Sequence, residues 1–229
     1  MKDSVDKIVT RYFACLTRQD FEFKGVEYKA KPIRVSPLLL RGYTCPSHCG
    51  ACCLANTLDY LPEDDRPEEA SVRFIEIDGR KVKVWTYMNN DHDGPSCKFL
   101  NQEDGRCGIY PRRPFSCDFE LIRTLGFEDV DHPNVLTQKL YGRGWNMKRI
   151  DGERGAKCGM TPPNAESIAE AIRKLERLQR WAAHFGITTW VPEIVKLIKE
   201  HRLTESVLLG TPPQKGLFTR LGLPVISKG

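Results

Sequence analysis

The chain has 229 residues, of which 40% are apolar and 28% charged, and a formal net charge of +5. This is the make-up of a soluble globular protein long enough to bury its own core, so disulfides are not needed to rescue a tiny fold. No stretch approaches the roughly 20 apolar residues that span a bilayer, and the amino terminus lacks the apolar run of a signal peptide. A cytoplasmic protein with no membrane partner is therefore expected.

Residues 3–18 place Val5, Ile8, Val9, Tyr12, Phe13 and Leu16 at three- and four-residue spacing, which predicts a helix with one apolar face. Cys15 falls on that helix and is expected to pack there as a small side chain. Residues 26–41 read as extended, punctuated by Pro32 and Pro37. After a cysteine-dense segment, residues 54–61 are expected to open a short helix and residues 62–67 to form an acidic loop. Residues 71–88 carry a hairpin pattern: Val72, Phe74 and Glu76 precede Asp78-Gly79, and Val82, Val84 and Thr86 follow it. A second hairpin is expected from Cys97-Lys-Phe-Leu100 through Asp104-Gly105 to Cys107-Gly-Ile-Tyr110. Pairing its arms would bring Cys97 and Cys107 together, and Pro111 and Pro114 would then turn the chain before Cys117.

Residues 118–160 hold many glycines and carry no assigned element. A long helix follows Pro162-Pro163, capped by Thr161 or Asn164 and stopped by Gly186. Ile168, Ile172, Leu175, Trp181, Ala182 and Phe185 line its apolar face, with Arg173, Lys174, Arg177 and Arg180 expected on the wet face. A second helix over about 189–201 packs Val191, Ile194, Val195 and Ile198, and the Gly- and Pro-rich tail is expected to wrap the surface. The elements predict an α+β fold: a cysteine-rich, loop-heavy metal-binding core with short β-hairpins between amino- and carboxy-terminal helices. The expected division is 1–160 for the cysteine-bearing domain with its amino-terminal helix, and 161–229 for a helical extension packed on it.

Charge is uneven along the chain. Asp59, Glu63, Asp64, Asp65, Glu68 and Glu69 form an acidic stretch. Lys139, Arg143, Lys148, Arg149, Arg154 and Lys157 form a basic one. Such a basic stretch attracts polyanions, but no nucleic-acid motif accompanies it, and a solvated surface loop is the plainer expectation.

The chemistry lies in the cysteines. Cys45-Pro-Ser-His-Cys49-Gly-Ala-Cys52-Cys53 sets four thiols within nine residues, and Cys97, Cys107, Cys117 and Cys158 follow. In a reducing compartment, clustered thiols point to metal more than to disulfides, and nine cysteines cannot all pair within one chain. With Cys15 set aside, eight thiols remain, enough for two four-coordinate sites or for an iron–sulfur cluster with a further site. Neighbouring side chains on an extended backbone diverge, so Cys52 and Cys53 need not serve one metal. All-thiolate ligation favours a cluster of the [4Fe–4S] kind or structural zinc over catalytic mononuclear zinc. His48 and His92 read as loop residues, and His132, His184 and His201 show no ligand spacing. Tyr110, Arg112 and Arg113 can shape the turn before Cys117, or the arginines can offset thiolate charge. The spacing of Cys45, Cys49 and Cys52 also matches radical-SAM enzymes, but hairpins rather than a long βα barrel follow it.

The segment 45–53 resembles the YkgJ-type CxxCxxCC cysteine-cluster family, described as zinc- or iron-chelating. The likeness continues through Cys97-Lys-Phe-Leu and Gly105-Arg-Cys107-Gly-Ile-Tyr110-Pro111-Arg-Arg113-Pro114-Phe-Ser-Cys117-Asp-Phe119, and so covers about 40–120. Three residues, not two, separate Cys45 from Cys49. The resemblance implies a zinc or iron site built from these cysteines, with Cys158 as an eighth. Some relatives join such a cluster to enzymatic methyl transfer, but no glycine-rich cofactor loop after a strand is present here, so no catalytic residue is assigned. The expected function is metal binding, with iron–sulfur or iron redox chemistry and an unidentified redox or protein partner. The alternatives are a zinc-stabilised module that binds a protein or nucleic acid, and an enzyme using an iron site.

Overall fold

A computed structural model describes residues 5, 8–44, 57–88, 97–101, 103, 104, 107–115, 117, 127–129, 147, 148, 154–156 and 159–210. The amino-terminal segment runs as a π-helical turn, Val9–Phe13, into a short helix α1 at Ala14–Leu16. Val5, Ile8, Val9, Tyr12, Phe13 and Leu16 are all buried, as their spacing requires, and Cys15 packs half-buried against the same core.

A five-stranded antiparallel sheet follows, in the order β2-β1-β6-β7-β5. Its strands are β1 (Phe21–Phe23), β2 (Val26–Tyr28), β5 (Thr57–Tyr60), β6 (Ser71–Ile77) and β7 (Arg80–Met88). The hairpin of β6 and β7 closes at Asp78-Gly79, both with positive φ (49° and 68°), which matches the right-handed twist of the strands. Residues 54–61 do not open a helix within their described part. Thr57–Tyr60 is an edge strand, because Leu58 and Tyr60 alternate onto one face opposite Tyr87 and Trp85. The residues before it, 54–56, lie outside the described residues.

The sheet has two unlike faces. One turns Ile75, Ile77, Val82 and Val84 into the main core, together with the amino-terminal segment and the carboxy-terminal helices. Val72 and Phe74 point the other way and stay exposed, Phe74 at 61%. Asp59 belongs to the core face and not to the acidic surface. It is fully buried, accepts hydrogen bonds from the Val5 backbone N–H (2.9 Å) and the Thr86 hydroxyl (2.6 Å), and lies 3.9 Å from the Arg73 guanidinium.

Helix α2 spans Ala165–Phe185 and α3 spans Val191–Lys199. Asn164, not Thr161, caps α2: its side chain accepts from the Ser167 N–H (2.9 Å), while the Ser167 hydroxyl accepts from the Asn164 N–H (2.9 Å). Gly186 ends the helix in the left-handed conformation (φ 72°). Two of the expected wet-face residues are not wet. Lys174 is buried against Glu170, and Arg177 reaches inward to Asp64.

Three smaller sheets complete the described structure. Strand β3 (Ile33–Val35) lies between β8 (Phe127–Asp129) and β12 (Val207–Leu209). Strand β4 (Gly42–Thr44) pairs with β11 (Gly159–Thr161), and β9 (Met147–Lys148) pairs with β10 (Arg154–Ala156). The rest of the basic stretch, Lys139, Arg143, Arg149 and Lys157, and the tail beyond 210 lie outside the described residues. No described helix is long and apolar enough to cross a membrane.

Candidate metal centre

The outer face of the sheet, at its β5 and β7 end, carries a second and smaller apolar cluster. Leu58, Tyr60 and Tyr87 are buried there, with Ala70, Trp85, Phe99 and Cys117 packed around them. Each is on that face by strand alternation, or is brought to it by the cysteine-bearing loop. The Tyr87 and Phe99 rings lie 6.3 Å apart, and the Lys98 ammonium sits over both, 4.2 Å and 5.2 Å from their centroids.

The loop's backbone explains how the cysteines reach this place. The Leu100 N–H donates to the Cys97 carbonyl (2.9 Å), and the Gly108 N–H donates to the Phe99 carbonyl (2.8 Å). Leu100 then faces Cys107 across a single bridge. The expected hairpin is therefore a one-bridge turn whose register sets Cys107 against Leu100 and not against Cys97, because the chain already bends at Cys97. Pro111 helps to start a 3-10 turn, Tyr110–Arg112. Beyond Pro114, the Cys117 N–H donates to the Pro114 carbonyl (3.1 Å). Cys97 is buried, Cys107 and Cys117 are half-buried, and all three are free of disulfides.

Helix α2 holds this turn from outside it. Arg177 donates to the Arg113 carbonyl (2.7 Å), pairs with Asp64 (3.2 Å) and stands 6.0 Å from the Phe115 ring centroid. Phe115 is fully buried between Trp181 (5.4 Å) and Tyr12 (6.2 Å). The Arg113 guanidinium stacks 3.7 Å from the Tyr110 centroid, and Arg112 pairs with Asp65 at 2.9 Å. Both arginines thus shape the turn.

Electrostatics place Tyr60 beside the thiols. Burial pushes its phenol well above the usual value of 10, and the negative potentials of Cys117, Cys97 and Asp64 push it further, against the opposing charge of Arg177. Neutral Tyr60 and Tyr87 therefore give the thiols a low-dielectric wall, with Lys98 supplying a cation at its edge.

Of the eight expected ligands, Cys97, Cys107 and Cys117 are described, and Cys45, Cys49, Cys52, Cys53 and Cys158 lie outside the described residues, as do His48, His92 and His132. Among the described residues no three of His, Cys, Asp and Glu converge closely enough to hold a metal ion. Three disulfide-free thiols are the donor chemistry that zinc and iron accept, so the residues present fit such a group as part of a larger set. His184 is no ligand candidate, since its Nε2 lies 2.6 Å from the Lys83 carbonyl. Tyr60 and Arg177 were not anticipated. The alternation of Leu58 and Tyr60 before the acidic loop was the available signal for the first, and nothing local marks the second.

The geometry describes a thiol-rich loop seated on a sheet, the arrangement of a metal-chelating segment. Residues 44–134 match the model of the CxxCxxCC family, described as a putative zinc- or iron-chelating domain, and over that segment the chain carries this domain. No curated protein and no solved structure matches the chain significantly.

Proposed function

We propose that the chain holds iron in an iron–sulfur cluster ligated from Cys45, Cys49, Cys52, Cys53, Cys97, Cys107, Cys117 and Cys158, and serves in redox chemistry or electron transfer with a protein partner in the cytoplasm. The observation that carries this reading is the donor set: Cys97, Cys107 and Cys117 are free thiols at one end of the sheet, on a segment that matches a chelating domain. All-thiolate sites of this density suit iron–sulfur clusters. Such a cluster supplies reversible one-electron transfer. Around it the chain's own residues do two things. Leu58, Tyr87 and Phe99 keep water from one side, and Lys98 offsets thiolate charge, two of the levers that set a cluster's potential.

The test is anaerobic purification followed by visible absorption and iron, zinc and acid-labile sulfide analysis on one sample. Iron with matching sulfide and a broad brown absorption is expected. Cys49→Ser and Cys107→Ser should each lower bound metal and thermal stability together, since metal binding and folding are linked, whereas Cys15→Ser should change neither. A colourless protein with stoichiometric zinc and no sulfide would refute the cluster and leave a zinc-stabilised binding module. Unchanged metal in both ligand variants would refute the site.

A further inference from the structure

We infer that Cys45 and Cys158 are ligands of the same metal site, so that the chelating centre is closed by a residue beyond the matched segment. The inference deepens the proposed function and holds for either metal. It comes from the two-stranded ladder of β4 and β11. Thr44 pairs with Gly159, Tyr43 with Met160 and Gly42 with Thr161. The described ladder ends on the pair Thr44 and Gly159, whose next neighbours along the chain are Cys45 and Cys158.

Covalent geometry turns that register into a distance. Consecutive Cα atoms are about 3.8 Å apart, and antiparallel partners are at most about 5.5 Å apart. The two cysteine Cα atoms therefore lie within about 13 Å of each other, although 112 residues (46–157) separate them in sequence. If the register continues by one residue, the spacing falls to about 5 Å with both side chains on one face of the ladder. Two thiolates on one ion, with metal–sulfur bonds of about 2.3 Å, fit inside that limit.

The ladder is also anchored. A Cβ on Gly42 would stand 2.5 Å from the Thr161 hydroxyl oxygen and 3.5 Å from the Ser167 Cβ, so the strands and the start of α2 meet too closely for any larger residue. The Ser167 hydroxyl donates to the Leu40 carbonyl (2.7 Å), which ties β4's approach to the capped helix end. One helix thus braces the Cys117 turn through Arg177 and the mouth of the Cys45 segment through Ser167.

The test uses the full chain, purified anaerobically in reductant, with bound iron, zinc and sulfide counted per chain for the native protein, Cys45→Ser, Cys158→Ser and the double variant. Co-ligation predicts that each single variant loses the same complement of metal and that the double variant loses no more. In the native protein, both thiols should be shielded from alkylation and should become reactive together when a chelator strips the metal; this measurement needs no variant to fold. Native metal content in Cys158→Ser, a larger loss in the double variant, independent alkylation of the two thiols, or a disulfide between them under non-reducing mass spectrometry would each overturn the assignment. The identity of the native metal judges the cluster proposal separately, because the pattern across variants does not depend on it.

Discussion

Arg177 offers the sharpest test of how the fold supports the cysteine loop. It lies on α2, outside the matched segment, yet it donates to the Arg113 carbonyl (2.7 Å) and pairs with Asp64 (3.2 Å), with side-chain exposures of only 12% and 11% for the pair. Arg177→Ala would strand a buried carbonyl and a largely buried carboxylate. An unsatisfied buried group costs about 1–3 kcal/mol, and breaking a fully buried ion pair costs about 3–5 kcal/mol. Residual exposure discounts the second figure, so the loss should be about 2–4 kcal/mol. In a chain of this size that is a fall in Tm of roughly 5–15 °C. The assay is urea unfolding of the metal-loaded protein as a double-mutant cycle with Asp64→Asn, for which contact predicts a coupling of about 1–3 kcal/mol. Because Arg113 leads directly into the Cys117 turn, the variant should also release metal to a chelator faster than the native protein. A loss below about 0.5 kcal/mol, or strict additivity with Asp64→Asn, would refute the argument that α2 braces the loop.

Three further outcomes follow from the same contacts. Asp59→Asn replaces an acceptor-only carboxylate with an amide that must face a donor, Val5 N–H or Thr86 hydroxyl, and should cost about 2–4 kcal/mol in thermal unfolding; the exposed Asp65→Asn should cost under about 0.5 kcal/mol. Ser167→Ala removes half of the capping box and the bond to Leu40, for an expected loss of about 1–2 kcal/mol in the same measurement. Glu170 has a pH signature: burial pushes its carboxyl up, but hydrogen bonds from Arg173 and the charge of Lys174 outweigh that and lower it from 4.5 to about 2. A carboxyl depressed on folding stabilises the protein above its unfolded value, and that contribution is lost as pH falls from about 4.5 toward 2. The stability gap between the native protein and Glu170→Gln should therefore close across that window; with Glu170 partly exposed, the gap is under about 1 kcal/mol. A gap that widened with acid would contradict the sign.

Where local pattern alone decides structure, reading the chain succeeded. The apolar face of residues 5–16, the turn at Asp78-Gly79 and the long helix between Asn164 and Gly186 are each fixed by spacing and end residues within one element. The cysteine loop likewise announced its donor chemistry through the spacing of its thiols, and the matched segment agrees with it.

Partnership was decided elsewhere. Nothing local distinguishes buried Asp59 from its exposed acidic neighbours, because its burial comes from Val5 and Thr86, 54 and 27 positions away. Arg177 reads as one cation among several on a helix until the Cys117 turn packs against it. The edge strand Thr57–Tyr60 was mistaken for part of a helix because an apolar run that short fits either period, and only the facing pairs Leu58 with Tyr87 and Tyr60 with Trp85 choose between them. Sequence spacing set which atoms can bind a metal. The antiparallel ladder of β4 with β11 set that the cysteines flanking it come from opposite ends of a 112-residue excursion (46–157). Side-chain chemistry is carried by each residue alone, whereas register is a property of two strands together, and only the folded chain contains both.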